Sequence, residues 1–529
     1  MNRRNFLMSS AAGAAFLLPM ARAALASNAE INDWFGADGA EFSFERLTDL
    51  ARQRAVREYV EPDTDLPERL VSLTYDQHRA IRYRPDHAVW HGEAPFELQA
   101  FHMGWLFNSP VGMFEVDGGK SKPLAFQPAD FEYRAPLDPA TFADIRMPGV
   151  AGFRVHNALN RPDIMDELAV FLGASYFRAL GRGNVYGLSA RGLAVNTATQ
   201  DGEEFPRFDA FFIETPSPEA EAITIYASLD SRSVTGAYAF RIVPGEETTM
   251  EVTARIFLRA DVERLGVAPM TSMFLFGENN RSAFRDYRNA VHDSDGLKIV
   301  RRGGEEVWRN LNNPARLATS FFNEESPRAF GLLQRDRAFD NYQDAGAAYE
   351  RRPSLLVEPI GDWGRGAITL VEIPTELEVN DNIVAFWVPE GEIKAGQNFE
   401  YRYKLTWGAL EDAGDKLARV VALRGGHGGI SGVENDADLQ KFVVDFAGGA
   451  LAAVAADSEE IESTLKASNA EIVHSSLSRI EANGAWRLVL DVRPEDDSPA
   501  EFSAFLSHRG TRISETWVYQ WRPQDDRRS

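Results

Sequence analysis

Three carboxylates crowd into one short stretch, Glu376-Leu377-Glu378-Val379-Asn380-Asp381-Asn382, and two more stand one residue apart in Val291-His292-Asp293-Ser294-Asp295-Gly296-Leu297. Paired carboxyls suit acid–base work on a glycosidic bond. One protonates the leaving oxygen while the other activates water or attacks carbon. Asp381 and Asp293 come from separate stretches, so a fold is free to set them on opposite sides of such a bond. A cysteine nucleophile is excluded, because the chain has no Cys, and no GxSxG, HExxH or phosphate-loop pattern occurs. The Asp293/Asp295 spacing lacks the further oxygen ligands and the twelfth-position Glu of a calcium loop, so it reads as a turn at Asp295-Gly296 with no metal site. Taken alone, the stretch around Asp381 is equally a solvated hairpin turn, since Asn and Asp form turns readily.

Between the two acidic stretches lie Asp336-Arg337-Ala338-Phe339-Asp340-Asn341-Tyr342-Gln343-Asp344, then Tyr349-Glu350-Arg351-Arg352-Pro353, then Asp362-Trp363-Gly364. Aromatic faces stack on the C–H faces of pyranose rings, while carboxylates, Asn and Arg bond hydroxyls in forked pairs. As a set in loop-like surroundings these residues predict a glycan groove. For each ring taken singly, core packing is the competing reading.

The elements that must position these groups are mostly strands. Leu370–Ile373 and Ile383–Trp387 flank the acidic loop, and Pro374 stops the first of them. Met250, Val252, Ala254, Ile256 and Leu258 fall on one face of a period-2 strand. From Leu70 onward, short β-prone runs broken by Gly, Pro, Asn and Asp predict an all-β sandwich or barrel. Phe44 to Val60 has apolar residues at helical spacing and is the clearest helix. Short helices are also expected at Met165 to Leu172, Ser282 to Val291 and Glu459 to Leu465, and Arg424 to Gly429 (RGGHGG) reads as a flexible loop. After Trp407 the composition shifts to Gly and Asp, predicting a linker over 409–415. A C-terminal unit over 416–529 follows, whose six or seven short strands suit an immunoglobulin-like sandwich.

The chain opens with Arg3-Arg4-Asn5-Phe6-Leu7, an apolar run to Met20 and Ala21-Arg22-Ala23, the pattern of a twin-arginine export signal over 1–23; Ala24-Leu25-Ala26 is an alternative cleavage site. No later stretch has the roughly 18–20 continuous apolar residues of a membrane span, so no membrane insertion is expected. The formal charge is −23. The signal carries three arginines and no acids, so its removal takes the charge to −26. Such a surface argues against nucleic acid and anionic membrane and suits a neutral sugar polymer. No cofactor is expected.

Several blocks together resemble one family. His292-Asp293-Ser294-Asp295-Gly296-Leu297, Leu311-Asn312-Asn313-Pro314, Gly331-Leu332-Leu333-Gln334-Arg335, Arg352-Pro353-Ser354, Val371-Glu372-Ile373-Pro374-Thr375, Asn380-Asp381-Asn382-Ile383-Val384-Ala385 and Ser514-Glu515-Thr516-Trp517-Val518-Tyr519-Gln520 look like the osmoregulated periplasmic glucan biosynthesis proteins of the OpgG and OpgD type. The resemblance covers essentially the whole chain after the signal, and the twin-arginine pattern points to the D form. It implies a galactose-mutarotase-like β-sandwich over 24–408 followed by a smaller immunoglobulin-like domain. It further implies periplasmic action on β-1,2-linked glucan by inverting hydrolysis, with Asp381 as general acid and Asp293 as general base. Tyr349 and Arg352 would line the groove. His292, Asp344, Trp363 and Trp387 complete the candidate substrate-binding set. Contact with the inner-membrane glucan synthesis machinery and a homodimer are compatible partners. The alternatives are a non-catalytic glucan-binding scaffold and, by fold analogy with His292 as the catalytic group, a mutarotase-like epimerase.

Overall fold

The computed structural model describes residues 26–62, 66–410, 416–429, 439–454 and 460–523. The export signal and most of the expected linker lie outside them. Alternating apolar side chains pair these segments into two large, mainly antiparallel sheets, and the chain is all-β. One sheet runs through the meander Arg207–Glu214, Ile223–Asp230, Val234–Val243, Thr248–Leu258, then Asn398–Gly408, Ser354–Ile360, Ala329–Leu333, Gly296–Val300 and Glu306–Asn310. The other is ordered Ala318–Glu325, Arg365–Glu372, Ile383–Pro389, Leu265–Ser272, Ser189–Arg191, Tyr176–Ala179, Asp166–Leu172, Gly152–Asn157, Phe96–Phe101.

Their inner faces meet through aromatic rings. Phe171 lies edge-on to Phe240 at 5.3 Å and to Phe211 at 5.5 Å, the spacing at which aromatic pairs add to their burial. Met250, Val252, Ala254, Ile256 and Leu258 all face this core, as their alternation predicts. The expected helix forms at Phe44–Ala55, capped by Ser43, and buries Leu47, Leu50 and Ala51 against the outer face of the meander.

The C-terminal residues build a second core. A four-stranded sheet, Arg419–His427, Gln440–Ala447, Trp486–Pro494 and Ala470–Arg479, faces Ile461–Ser468, Ala500–His508 and Thr516–Trp521. Phe442 reaches across to Phe502 at 5.5 Å, Tyr519 at 5.4 Å and Trp521 at 5.8 Å. Thr516–Trp521 also pairs in parallel with Glu306–Asn310, so the backbone ladder of the first large sheet continues into this region.

Four local expectations change. Met165 to Leu172 is strand Asp166–Leu172, and the helix expected up to Leu465 is strand Ile461–Ser468. Short apolar runs do not separate the two periods, and in both cases a neighbouring strand supplies the backbone partners. Ser282 to Val291 forms only a single 3₁₀ turn, Arg281–Ala283, before strand Val291–His292. The glycine-rich Arg424 to His427 is no loop: it ends strand Arg419–His427, where Gly425 lets the backbone of Asn279 approach closely.

Candidate active site

Asp293 is held by backbone on both sides. Its own N–H donates to Met273 O at 2.8 Å, the Asp295 N–H to Leu333 O at 2.8 Å, and Ser294 shares a hydroxyl bond with Ser272 at 2.8 Å. Asp295 is committed to structure, its carboxylate accepting the N–H groups of Arg335 and Asp336. Asp293 is only 4 % exposed. Burial pushes its pKa up, the guanidinium of Arg352 pulls it down, and the charge of Asp381 raises it again. Arg352 donates to Asp293 Oδ1 and lies 4.2 Å over the ring of Tyr349. Tyr349 is itself buried, in a small apolar cluster with Met273, Phe276, Val291 and Tyr342.

Asp381 reaches the same place from the loop between strands Arg365–Glu372 and Ile383–Pro389. Asparagines pin that loop. Asn382 accepts from Phe274 N at 2.8 Å and donates to Phe274 O at 2.9 Å and Ile373 O at 3.1 Å. Asn313 donates to Thr375 O at 2.8 Å and accepts from Thr375 N at 3.0 Å, and Asn380 donates to Thr375 Oγ1 at 2.9 Å. Asn380 and Asn382 are buried and Asp381, between them, is half-buried. Its charge is felt by Asp293 and also by Arg191, whose pKa burial lowers but Tyr176, Glu203 and Asp381 together raise. The two acids therefore share one electrostatic neighbourhood.

The remaining candidates divide. Asp344 stands at this neighbourhood, but it binds protein: the N–H groups of Ala347 and Gly346 and the guanidinium of Arg288 hold its pKa down. His292 lies beneath the site, 3 % exposed, stacked on Phe274 at 5.2 Å. The Gln334 amide donates to the carbonyls of His292 and Tyr349, so its oxygen takes the His292 Nδ1–H at 2.9 Å. With Nδ1 on Gln334 and Nε2 3.5 Å from Asp295 Oδ1, this buried ring is held among protein groups and forms no groove wall. Trp363 and Trp387 are corrected more firmly. Trp387 is 0 % exposed and Trp363 6 %, their rings 6.0 Å apart in the main core beside Tyr401 and Tyr403. Neither offers a face to a sugar, because the strand alternation that buries Ile383 and Ala385 carries Trp387 inward with them.

Two arginines at the site had no signature in the sequence. Arg191 is 2 % exposed, donates to Thr271 Oγ1 at 2.9 Å and to Glu203 at 2.6 Å, and covers the Tyr176 ring at 4.7 Å. Arg288 binds Asp286, Asp344 and Glu378, each at 2.8 Å. An isolated Arg carries no periodic signal, whether in the strand of Arg191 or the loop of Arg288, and only the tertiary fold reveals its partners. Among the described residues no group of three or more His, Cys, Asp or Glu is arranged to hold a metal ion, and no helix is long and apolar enough to cross a membrane.

Fold and site define an all-β protein with two carboxyls on separate loops, one of them buried and paired with an arginine. The chain belongs to the family described as periplasmic glucan biosynthesis protein, MdoG, whose family model matches residues 42–521. Glucans biosynthesis protein G of Cereibacter sphaeroides is 53 % identical over 484 residues, 91 % of this chain and 89 % of that relative. Glucans biosynthesis protein G of Bradyrhizobium diazoefficiens is 42 % identical over 99 % of this chain and all of its own length. A probable glucans biosynthesis protein D of Shewanella oneidensis is 42 % identical, covering 91 % of this chain and 89 % of the relative. Relatives carry both letters, so a D-type chain is compatible with them. The family supports a role in periplasmic glucan biosynthesis.

Proposed function

We propose that this protein sets the backbone of periplasmic glucan by inverting hydrolysis of β-1,2-linked glucose. Asp381 protonates the leaving oxygen, and Asp293 takes the proton from the attacking water. The observation that carries this reading is a buried, Arg352-paired Asp293 whose N–H binds Met273 O, while Asn382, next to Asp381, binds the backbone of the adjoining Phe274, so one short segment holds both acids' loops. Burial makes Asp293 a stronger base than a solvated carboxylate, while the Arg352 guanidinium favours its ionised form. Tyr349 supports the guanidinium from beneath. The half-buried Asp381 lies nearer solvent, where a substrate oxygen arrives. Export follows the twin-arginine route through Arg3-Arg4, and the chain divides into units over 24–408 and 416–529 joined by 409–415.

The test is release of reducing ends from linear β-1,2-glucan, with the anomer of the first product read by NMR. Wild type yields the α-anomer, and Asp381→Asn and Asp293→Asn lose activity by several orders of magnitude. Undiminished activity in Asp381→Asn removes the acid assignment, and a β-anomeric product removes inversion. Binding of the glucan without turnover by wild type makes the protein a scaffold of the biosynthetic machinery.

A further inference from the structure

Arg288 occupies a position the two-carboxyl mechanism leaves unexplained. Its side chain is only 11 % exposed and meets three carboxylates from three stretches of chain. Asp286 grips it within its own loop through Nε at 3.0 Å and Nη2 at 2.8 Å. Nη1 then donates to Asp344 and Nη2 to Glu378, both at 2.8 Å. Glu378 precedes Asp381 by three residues in the same loop. On the other side, Asp344 accepts the N–H groups of Gly346 at 3.0 Å and Ala347 at 2.8 Å. The carbonyl of Ala347 in turn accepts Nε and Nη2 of Arg352 at 3.3 Å, and Arg352 holds Asp293. A continuous polar chain thus runs from the loop of Asp381 through Glu378, Arg288, Asp344 and Arg352 to Asp293. The segment it crosses is strained: Gln343 at φ 53° and Ala348 at φ 46° are non-glycine residues in the left-handed region. Such conformations persist only where surrounding bonds over-determine them. A planar guanidinium with three carboxylates supplies that constraint, which a single ammonium does not.

We propose that Arg288 is a positioning residue that sets the Asp381 loop against the Asp293–Arg352 pair. It touches no reacting atom, and the inference rests on the hydrolytic reading above. Small displacements of catalytic groups cost up to roughly 100-fold in rate. Glu378 is the informative partner, because its side chain is 44 % exposed and its loss leaves no buried charge.

The experiment measures kcat and KM on linear β-1,2-glucan for wild type, Arg288→Lys, Glu378→Gln and Glu378→Ala, alongside hydrogen exchange of the peptides spanning 343–352 and 374–383. The expected result is a fall in kcat of about 10- to 100-fold for Arg288→Lys. Glu378→Gln keeps an acceptor oxygen and loses less than Glu378→Ala. KM changes little, and exchange of both peptides speeds up in the order of the kcat losses. A purely structural arginine instead lowers the unfolding midpoint while kcat per folded molecule stays at the wild-type value, and that outcome overturns the proposal, as does exchange confined to one of the two loops. If wild type itself fails to hydrolyse the glucan, the hydrolytic reading falls, while the exchange data still decide whether Arg288 couples the loops.

Discussion

At Asp293, burial and the Arg352 guanidinium pull in opposite directions, and burial is the larger effect. In the proposed hydrolysis Asp293 works as a base only when ionised, so its burial moves the acidic limb of the pH–rate profile upward. Removing Arg352 deletes the opposing influence. Arg352→Gln therefore moves that limb to still higher pH, measured as kcat/KM on β-1,2-glucan across pH 4 to 8; an unmoved limb disconnects Asp293 from the rate. At Trp387 the physics is different. The ring is fully buried in the main core, so Trp387→Ala costs on the order of 3–5 kcal/mol of stability. The change appears in the denaturant midpoint of the whole protein, with no selective loss of glucan affinity. Composition announced an aromatic-rich stretch, but which rings face a groove depends on the inward phase of each strand, and a loop residue such as Trp363 is drawn in by its neighbours.

The loop of Asp381 is an element made by asparagines. Asn382 spends its amide on Phe274 and Ile373, tying the loop to the short strand that pairs with Val291–His292. Asn382→Ala leaves the Phe274 backbone groups without these partners and costs roughly 1–3 kcal/mol. Hydrogen exchange at 273–276 and 373–383 should accelerate together, and unchanged protection at 273–276 contradicts the tie. The flanking strands and the loop between them were legible from Pro374 and the two β-prone runs. The role of Glu378 was not. It is bound to Arg288, whose sequence position gives no hint of that partner. Likewise Met165 to Leu172 looked helical until pairing with Gly152–Asn157 and Tyr176–Ala179 supplied the ladder.

Among the described residues, the second core is joined to the first by backbone pairing and by side-chain links that include a buried ion pair. Arg335 meets Glu515 through both nitrogens at 2.6 and 2.9 Å and lies 3.5 Å over Trp308, while Glu515 is 1 % exposed and also accepts the Val420 N–H. Removing one partner of a buried pair strands the other charge, so Glu515→Ala costs about 3–5 kcal/mol, read from the unfolding of the full chain. The stability of the fold also titrates. Burial pushes His102 down to about 4 from 6.5, so the unfolded chain binds the proton more readily and stability falls as pH drops from about 6.5 to 4. Asp230, raised to about 6 mainly by burial, has the opposite sign. The difference between wild type and His102→Gln therefore isolates the histidine, and wild type should lose roughly 3 kcal/mol more across that interval. The order of apolar and polar residues was enough to determine an all-β chain, a helix opening at Phe44, the alternation from Met250 to Leu258 and the two acidic stretches, because these are local patterns; that the helix stops at Ala55 rather than running to Val60 was left to the structure. Tertiary structure alone decided that Asp293 is buried against Arg352, that Asp381 is close enough to shift it, that His292 and Trp387 serve the interior, and that Arg191 and Arg288 belong to the site. Each of those facts depends on strands and loops distant in sequence meeting in a low-dielectric interior, where charge partners and burial, rather than residue type, set what a side chain does.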